Sequence, residues 1–184
     1  MNIFALDNSP VNSAVWQHDK HVVKMLLETA QMLSTNARLV PEWLEVCDEY
    51  GVTDRLYKPA YVNHPCTVWA RQTLGNFRWL VLHGAALFKE YDYRFGGMHK
   101  SFSSVIRPLR ELAWNRFTYG DESMTAFVTA MPDKYKVAGN AVQSYRNYYV
   151  AEKLASNPKW TNRCRCADLP GWLSEPALHP VATA

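Results

Sequence analysis

The chain is short of several things that would mark a special class. It has only 4 cysteines in 184 residues, at Cys47, Cys66, Cys164 and Cys166. Their uneven placement and the chain length exclude a disulfide scaffold and point to reduced thiols in a cytoplasmic protein. The Cys164-x-Cys166 pair lacks the C-x-x-C spacing or the nearby histidine pair that zinc wants, so no metal site is expected. With 8 Gly and 10 Pro, collagen-like and low-complexity classes fall away. No apolar run is long enough to span a bilayer; the best, 79–88, is broken by His83 and Gly84. Residues 1–10 have no basic start and contain Asp7, unlike a secretory signal. No G-x-G-x-x-G or Walker-type loop is present, so no nucleotide or flavin cofactor is expected. Strand-like alternation is almost absent too, confined to a short extended piece at 2–6.

What is present is a helical pattern. The hydrophobic share is 48%, the aromatic share 13%, and the formal net charge only +3. Those values exclude disorder and suit one all-α domain over residues 1–184. The spacing predicts a first long helix over 13–38, capped by Asn12 or Ser13 after Pro10. A short helix follows from Pro41 to residue 50, stopped by Gly51. Residues 52–65 read as an irregular loop holding Tyr-Val-Asn-His-Pro. Helix then runs from Pro65 to Phe95, broken or bent at Gly75-Asn76 and stopped by Gly96-Gly97. Further helices are expected over 100–117, kinked at Pro108, then from the Gly120-Asp121 turn to Met131-Pro132, and over 140–156. Glu90 and Arg94 are spaced to pair on the helix surface.

Three features carry chemistry. On the first helix, Gln17, Lys20, His21, Lys24, Glu28 and Gln31 fall within an arc of about 100° on an otherwise apolar surface. That stripe is either a solvated face or the wall of an active site. In the second case Glu28 serves as general base or electrostatic stabiliser, with Lys24 one turn before it and His21 two turns before. Second, Pro65 places Asn63 or His64 at a helix N-terminus, a setting suited to phosphate, with Arg71 about two turns in. His99 and Lys100 follow the Gly96-Gly97 stop and either cap the next helix or add positive charge to a site.

Third, residues 134–165 hold seven cations and one acid, Glu152. The local balance of +6 against +3 for the chain leaves −3 for the remainder. The cations Lys134, Lys136, Arg146, Lys153, Lys159, Arg163 and Arg165 are interleaved with Tyr135, Tyr145, Tyr148, Tyr149 and Trp160. This is the composition of a nucleic-acid surface, in which cations meet phosphates and rings meet bases. The plain alternative is that the tyrosines pack a helix while the cations solvate it.

Several stretches together resemble one protein family: M-N-I-F-A-L-D-N-S-P, D-K-H-V-V-K-M-L-L-E-T-A-Q-M-L-S-T, N-H-P-C-T-V-W-A-R, E-Y-D-Y-R-F-G-G-M-H-K-S, A-M-P-D-K-Y-K and Y-R-N-Y-Y-V-A-E-K. The resemblance is to small bacteriophage proteins of the pyrimidine-dimer DNA glycosylase-like type, and it reaches to about Leu173. A looser one is to phage endonuclease V, an all-α glycosylase and lyase. Its early helix carries Asp-x-His and, seven residues after the His, the catalytic glutamate; Asp19, His21 and Glu28 match that spacing. His64 matches a His opening the next long helix, and the stretch from Trp160 to Trp172 is similar to its aromatic, basic tail. The resemblance implies an enzyme in the host cell cytoplasm acting on a damaged or modified pyrimidine in double-stranded DNA. It implies Glu28, His21 and Lys24 as catalytic residues; Gln31, Asn63, His64, Arg71, His99 and Lys100 at the substrate or its phosphate; and the basic third, Arg163 included, on DNA.

One departure bears on mechanism. The glycosylase-lyase attacks with an N-terminal amine exposed by removal of the initiator Met, whereas the second residue here is Asn2, larger than those that normally permit removal. Related phage proteins suggest an alternative that needs no free N-terminus: amino acid:DNA transferases of thymine hypermodification. In these a free amino acid displaces phosphate from an activated 5-hydroxymethyl-uracil. Lys24, His64, Arg71 and Lys100 would then face the leaving phosphate. A reading from another class is a non-catalytic DNA-binding protein.

Overall fold

The computed structural model describes residues 1–155, 158–162 and 170–173. Among these the chain is all-helical, with no strand. Residues 2–6 thread the interior with Ile3, Ala5 and Leu6 wholly buried, but the expected extended piece is bent at Phe4, whose φ is +38° and whose carbonyl accepts the Leu6 N–H at 2.8 Å. Ser9 then caps α1 (Pro10–Val15), its hydroxyl accepting from the Asn12 N–H.

The expected single helix over 13–38 is instead two, because α1 ends at Trp16 and α2 (Asp19–Leu39) starts after an extended His18. Neither Pro nor Gly marks this break. Arg94 makes it, donating to the Val15 and Gln17 carbonyls at 2.9 and 2.7 Å and to the Asp19 carboxylate at 3.2 Å. One buried guanidinium thus satisfies orphan carbonyls at the end of one helix and an acid at the start of the next.

Helix α3 (Pro41–Glu49) stops before Gly51, whose φ of +62° suits glycine. The loop beyond it is tied to α2: Arg38 donates to the Thr53, Leu56 and Tyr57 carbonyls, and Ser34 accepts from the Tyr57 N–H. Helices α4 (Pro65–Gln72) and α5 (Leu74–Phe95) are separated at extended Thr73, not at Gly75-Asn76. Thr73 caps α5 through the Asn76 N–H. Gly75 instead admits a second segment, since a Cβ there would stand 2.4 Å from the Glu122 and Ser123 carbonyl oxygens.

That second segment is where the helix expected before Met131 fails to form. Asn76 accepts from the Thr125 N–H at 2.9 Å and donates to the Thr125 hydroxyl at 2.7 Å, holding the chain against α5 in an irregular course. Helix α5 is central and packs on α1, α2, α4 and α6 (Arg107–Asn115). Its Gly84 lets α2 close in, because a Cβ would meet Thr29 Cγ2 at 2.9 Å. The approach to α6 widens into a π-type turn over Phe102–Ile106, just before Pro108, which has no N–H to give the regular ladder. Asn140 caps α7 (Ala141–Tyr148), which passes into a second wide turn over Tyr149–Lys153. No helix among the described residues is long and apolar enough to cross a membrane.

Candidate active site

The middle of α2 meets the start of the chain. Glu28 Oε2 accepts the Asn2 N–H at 3.0 Å and lies 3.7 Å from the Met1 nitrogen. Its Oε1 is 3.4 Å from Lys24 Nζ, one turn earlier. Glu28 is mostly covered, at 12% side-chain exposure, while Lys24 is 68% exposed.

The sequence builds this junction by burying the segment behind it. The Asn2 carboxamide accepts from the Ile3 and Phe4 N–H groups and donates to the Ala130 carbonyl at 2.9 Å. Phe4 takes a positive φ of 38° and stacks its ring on His21. The Met1 side chain is buried, with the Thr67 hydroxyl 3.5 Å from its sulfur. Met1 as a whole is only half-buried, so what it turns to solvent is its main-chain end, beside Glu28.

His64 completes the group as the N-cap of α4. Its Nδ1 accepts the Cys66 N–H at 3.2 Å, which leaves Nε2 to carry the ring proton. Burial and the Met1 ammonium hold its pKa below the ordinary value, against an opposing pull from Glu28. A neutral imidazole donor, a carboxylate and an amine therefore share one half-open corner. A carboxylate so placed can take a proton from a nucleophile or stabilise a developing cation.

The rest of the stripe divides. His21 is not gathered at Glu28: its ring lies between Phe4 at 4.6 Å and His18 at 4.2 Å, with Tyr149 against its edge. Burial pushes its pKa down to about 3, so the ring is neutral packing material at physiological pH. Gln17 corrects the expected polar face, being fully buried and bonded to His83 at 3.0 Å and to the Ser13 carbonyl. Gln31 extends the line one turn past Glu28 and is half-buried.

Asn63 is exposed on the turn before His64. Arg71 is committed beneath that turn, donating to the Val62 carbonyl at 2.8 Å and to Asn36 at 3.4 Å. Both bonds use the one nitrogen Nη1, and through them Arg71 holds the loop. His99 accepts the Ser101 N–H through Nδ1, and exposed Lys100 lines a polar cleft with Asp54, Arg55, Tyr57 and Ser103. That cleft is built on the far part of the loop, where Tyr57 bonds Ser34 and Ser101, rather than on the turn beside Glu28.

The basic third also divides. Tyr145 and Tyr149 are corrections: both are wholly buried, Tyr145 donating to the Val128 carbonyl and Tyr149 accepting the His18 N–H, so neither offers a face to DNA. Arg146 is a brace, donating to the Leu6 carbonyl at 2.8 Å, pairing with Asp7 and lying over Trp16 and Trp172. Trp160 is half-buried, with its N–H on the Trp16 carbonyl. Lys134 pairs with Glu152 and Lys136 with Asp133, both at the surface. Lys159 is exposed while its carbonyl accepts the Asp19 N–H. Lys153 lies over Tyr148 and, with Lys20 and Lys24, surrounds the His18–His21 end of α2 with positive charge. Arg163 lies outside the described residues, as do Cys164, Arg165 and Cys166.

Sequence reasoning missed Asn2 and Thr67, which place the Met1 nitrogen. Asn2 acts on a partner 128 residues away, which no local spacing reveals. Among the described residues no three His, Cys, Asp or Glu side chains come together to hold a metal ion. No protein-family model, curated protein or solved structure matches the chain.

Proposed function

We propose that this protein is an enzyme acting on a base in DNA, by glycosylase-like chemistry on a damaged or modified pyrimidine, with Glu28 as its catalytic carboxylate. The observation that carries the reading is the meeting of Glu28, the Met1 nitrogen and Lys24 at one half-open corner. In the reaction, the bond between C1′ of the deoxyribose and the base nitrogen breaks, and its electron pair leaves with the base. Glu28 stabilises the positive charge developing at the sugar. A water or the Met1 amine attacks C1′, and Glu28 takes the proton released. His64 Nε2–H is a donor for the departing base. Lys20, Lys24 and Lys153 supply charge for the phosphates on either side.

The test is mass spectrometry of defined duplexes after incubation: ultraviolet-irradiated DNA, 5-hydroxymethyl-uracil DNA, and its phosphorylated form with pooled amino acids. Loss of a base is the expected result, and Glu28→Gln slows it by about 10²–10³-fold while leaving duplex binding intact. Borohydride trapping of a covalent protein–DNA adduct distinguishes the amine from water. A mass gain equal to an amino acid would replace this reading with the transferase. Full activity in Glu28→Gln would remove Glu28 from the chemistry.

A further inference from the structure

Among the described residues Tyr61 is the most exposed of the large apolar side chains, at 65%, and its backbone has a positive φ of 51°. Residues other than glycine rarely adopt that conformation, and a bulky one there is an outlier that asks for a cause. Phe4, also at positive φ, has its cause in view: its ring is buried and stacked on His21. No such packing explains Tyr61, against which none of the described rings stacks.

The chain nevertheless holds Tyr61 firmly. On one side Thr35 both accepts from the Ala60 N–H at 3.0 Å and donates to the Ala60 carbonyl at 3.1 Å. On the other, buried-side Arg71 fixes the Val62 carbonyl at 2.8 Å. The Tyr61 carbonyl itself accepts the His64 N–H at 2.9 Å, closing a four-residue turn. That turn ends on the imidazole that faces Glu28 and the Met1 nitrogen. Two side-chain anchors, Thr35 and Arg71, and one backbone turn thus present a bare aromatic ring at the rim of the candidate active site, with exposed Lys58 three residues before it.

We infer that Tyr61 is a wedge: its ring enters the DNA base stack beside the reacting nucleotide and fills the space left when that base turns out of the helix. The inference rests on the reading of the protein as a DNA-base enzyme. Its physical basis is that a base within a duplex is out of reach of a carboxylate, and that an aromatic ring inserted in the stack offsets the lost stacking. A ring held in place beforehand does this without first being ordered.

Binding measurements on three proteins test it: the unaltered chain, Tyr61→Phe and Tyr61→Gly. Glycine suits the positive φ, so this variant folds without the strain and its melting temperature serves as the folding control. The probes are an intact duplex and the same duplex with one tetrahydrofuran abasic-site analogue, where the stack is already open. Expected is tighter binding of the gapped duplex by the unaltered chain. Tyr61→Gly should lose about tenfold on it, as for one stacked base, and Tyr61→Phe should lose little. The salt dependence stays the same in all three, because no phosphate contact is removed. Equal affinity of Tyr61→Gly and the unaltered chain for the gapped duplex overturns the wedge while leaving the DNA reading intact. No binding of either duplex by any of the three overturns both.

Discussion

Two clusters of opposite charges lie along α2 and differ in one respect. At its start, Arg94 is wholly buried between Glu90 and Asp19, and each of its five N–H groups has an acceptor: Glu90 twice, Asp19, and the carbonyls of Val15 and Gln17. At its middle, Glu28 is nearly as well covered, yet its charged partners are an exposed Lys24 and a Met1 nitrogen turned to solvent. A network whose donors are all committed can hold parts together and do nothing else. A network with an open cation and an open amine can exchange partners with a substrate. The difference separates a structural clasp from a candidate reaction centre, although both consist of the same residue types.

The largest expected effect breaks the closed cluster. Arg94→Leu takes the cation from between two carboxylates and releases the carbonyls at the α1–α2 junction, so stability should fall by about 3–5 kcal/mol. Urea denaturation checks this, and a loss below about 1 kcal/mol would put Arg94 among surface pairs instead. Glu28→Gln attacks the open cluster and should do the reverse. Turnover should fall by about 10²–10³-fold, as for removal of one electrostatic stabiliser. Stability should move by less than about 1 kcal/mol, since the amide oxygen still accepts the Asn2 N–H. A variant that unfolds rather than falls silent would place Glu28 with the clasp.

Between the clusters stand His18 and His21, with Asp19, Arg94, Lys20, Lys24 and Lys153 around them. Burial lowers their pKa values to about 4 and about 3, below the ordinary 6.5. The unfolded chain therefore takes up protons first as pH falls. The stability these rings contribute is complete above pH 6.5 and is lost on descent through about 4 and then about 3. His21→Phe keeps a flat ring between Phe4 and His18 and should reduce this acid sensitivity in thermal melts, with turnover retained. Loss of turnover with the fold intact would return His21 to the reaction centre.

Much of this was readable because local rules governed it. Pro41, Pro65, Gly51 and Gly96 punctuate helices where their backbone preferences require. Helical spacing put Lys24 beside Glu28, and the structure agrees. The larger misses have distant causes. Arg94, expected on the surface with Glu90, turns inward and cuts one helix in two from 79 residues away. Asn76 holds residues near Thr125 out of the helix their composition suggested. The tyrosines of α7 and of the wide turn after it looked alike in sequence, and only packing separates buried Tyr145 and Tyr149 from half-buried Tyr148. Composition marked a basic region but could not tell the bracing Arg146 from the solvent-facing Lys159.

The smallest effect sharpens the comparison most, because it separates holding from binding within a single ion pair. Lys24 is 68% exposed and pairs with Glu28 at 3.4 Å across one helical turn. Such a pair adds at most about 0.5 kcal/mol, so Lys24→Met should leave the melting temperature nearly unchanged. If Lys24 belongs to the open cluster because a phosphate takes its charge, the same substitution should weaken binding of all duplexes alike. It should also reduce the slope of log affinity against log salt by about one. An unchanged slope with unchanged stability would mean that Lys24 only solvates the helix, and the openness of the cluster would then rest on the Met1 nitrogen alone.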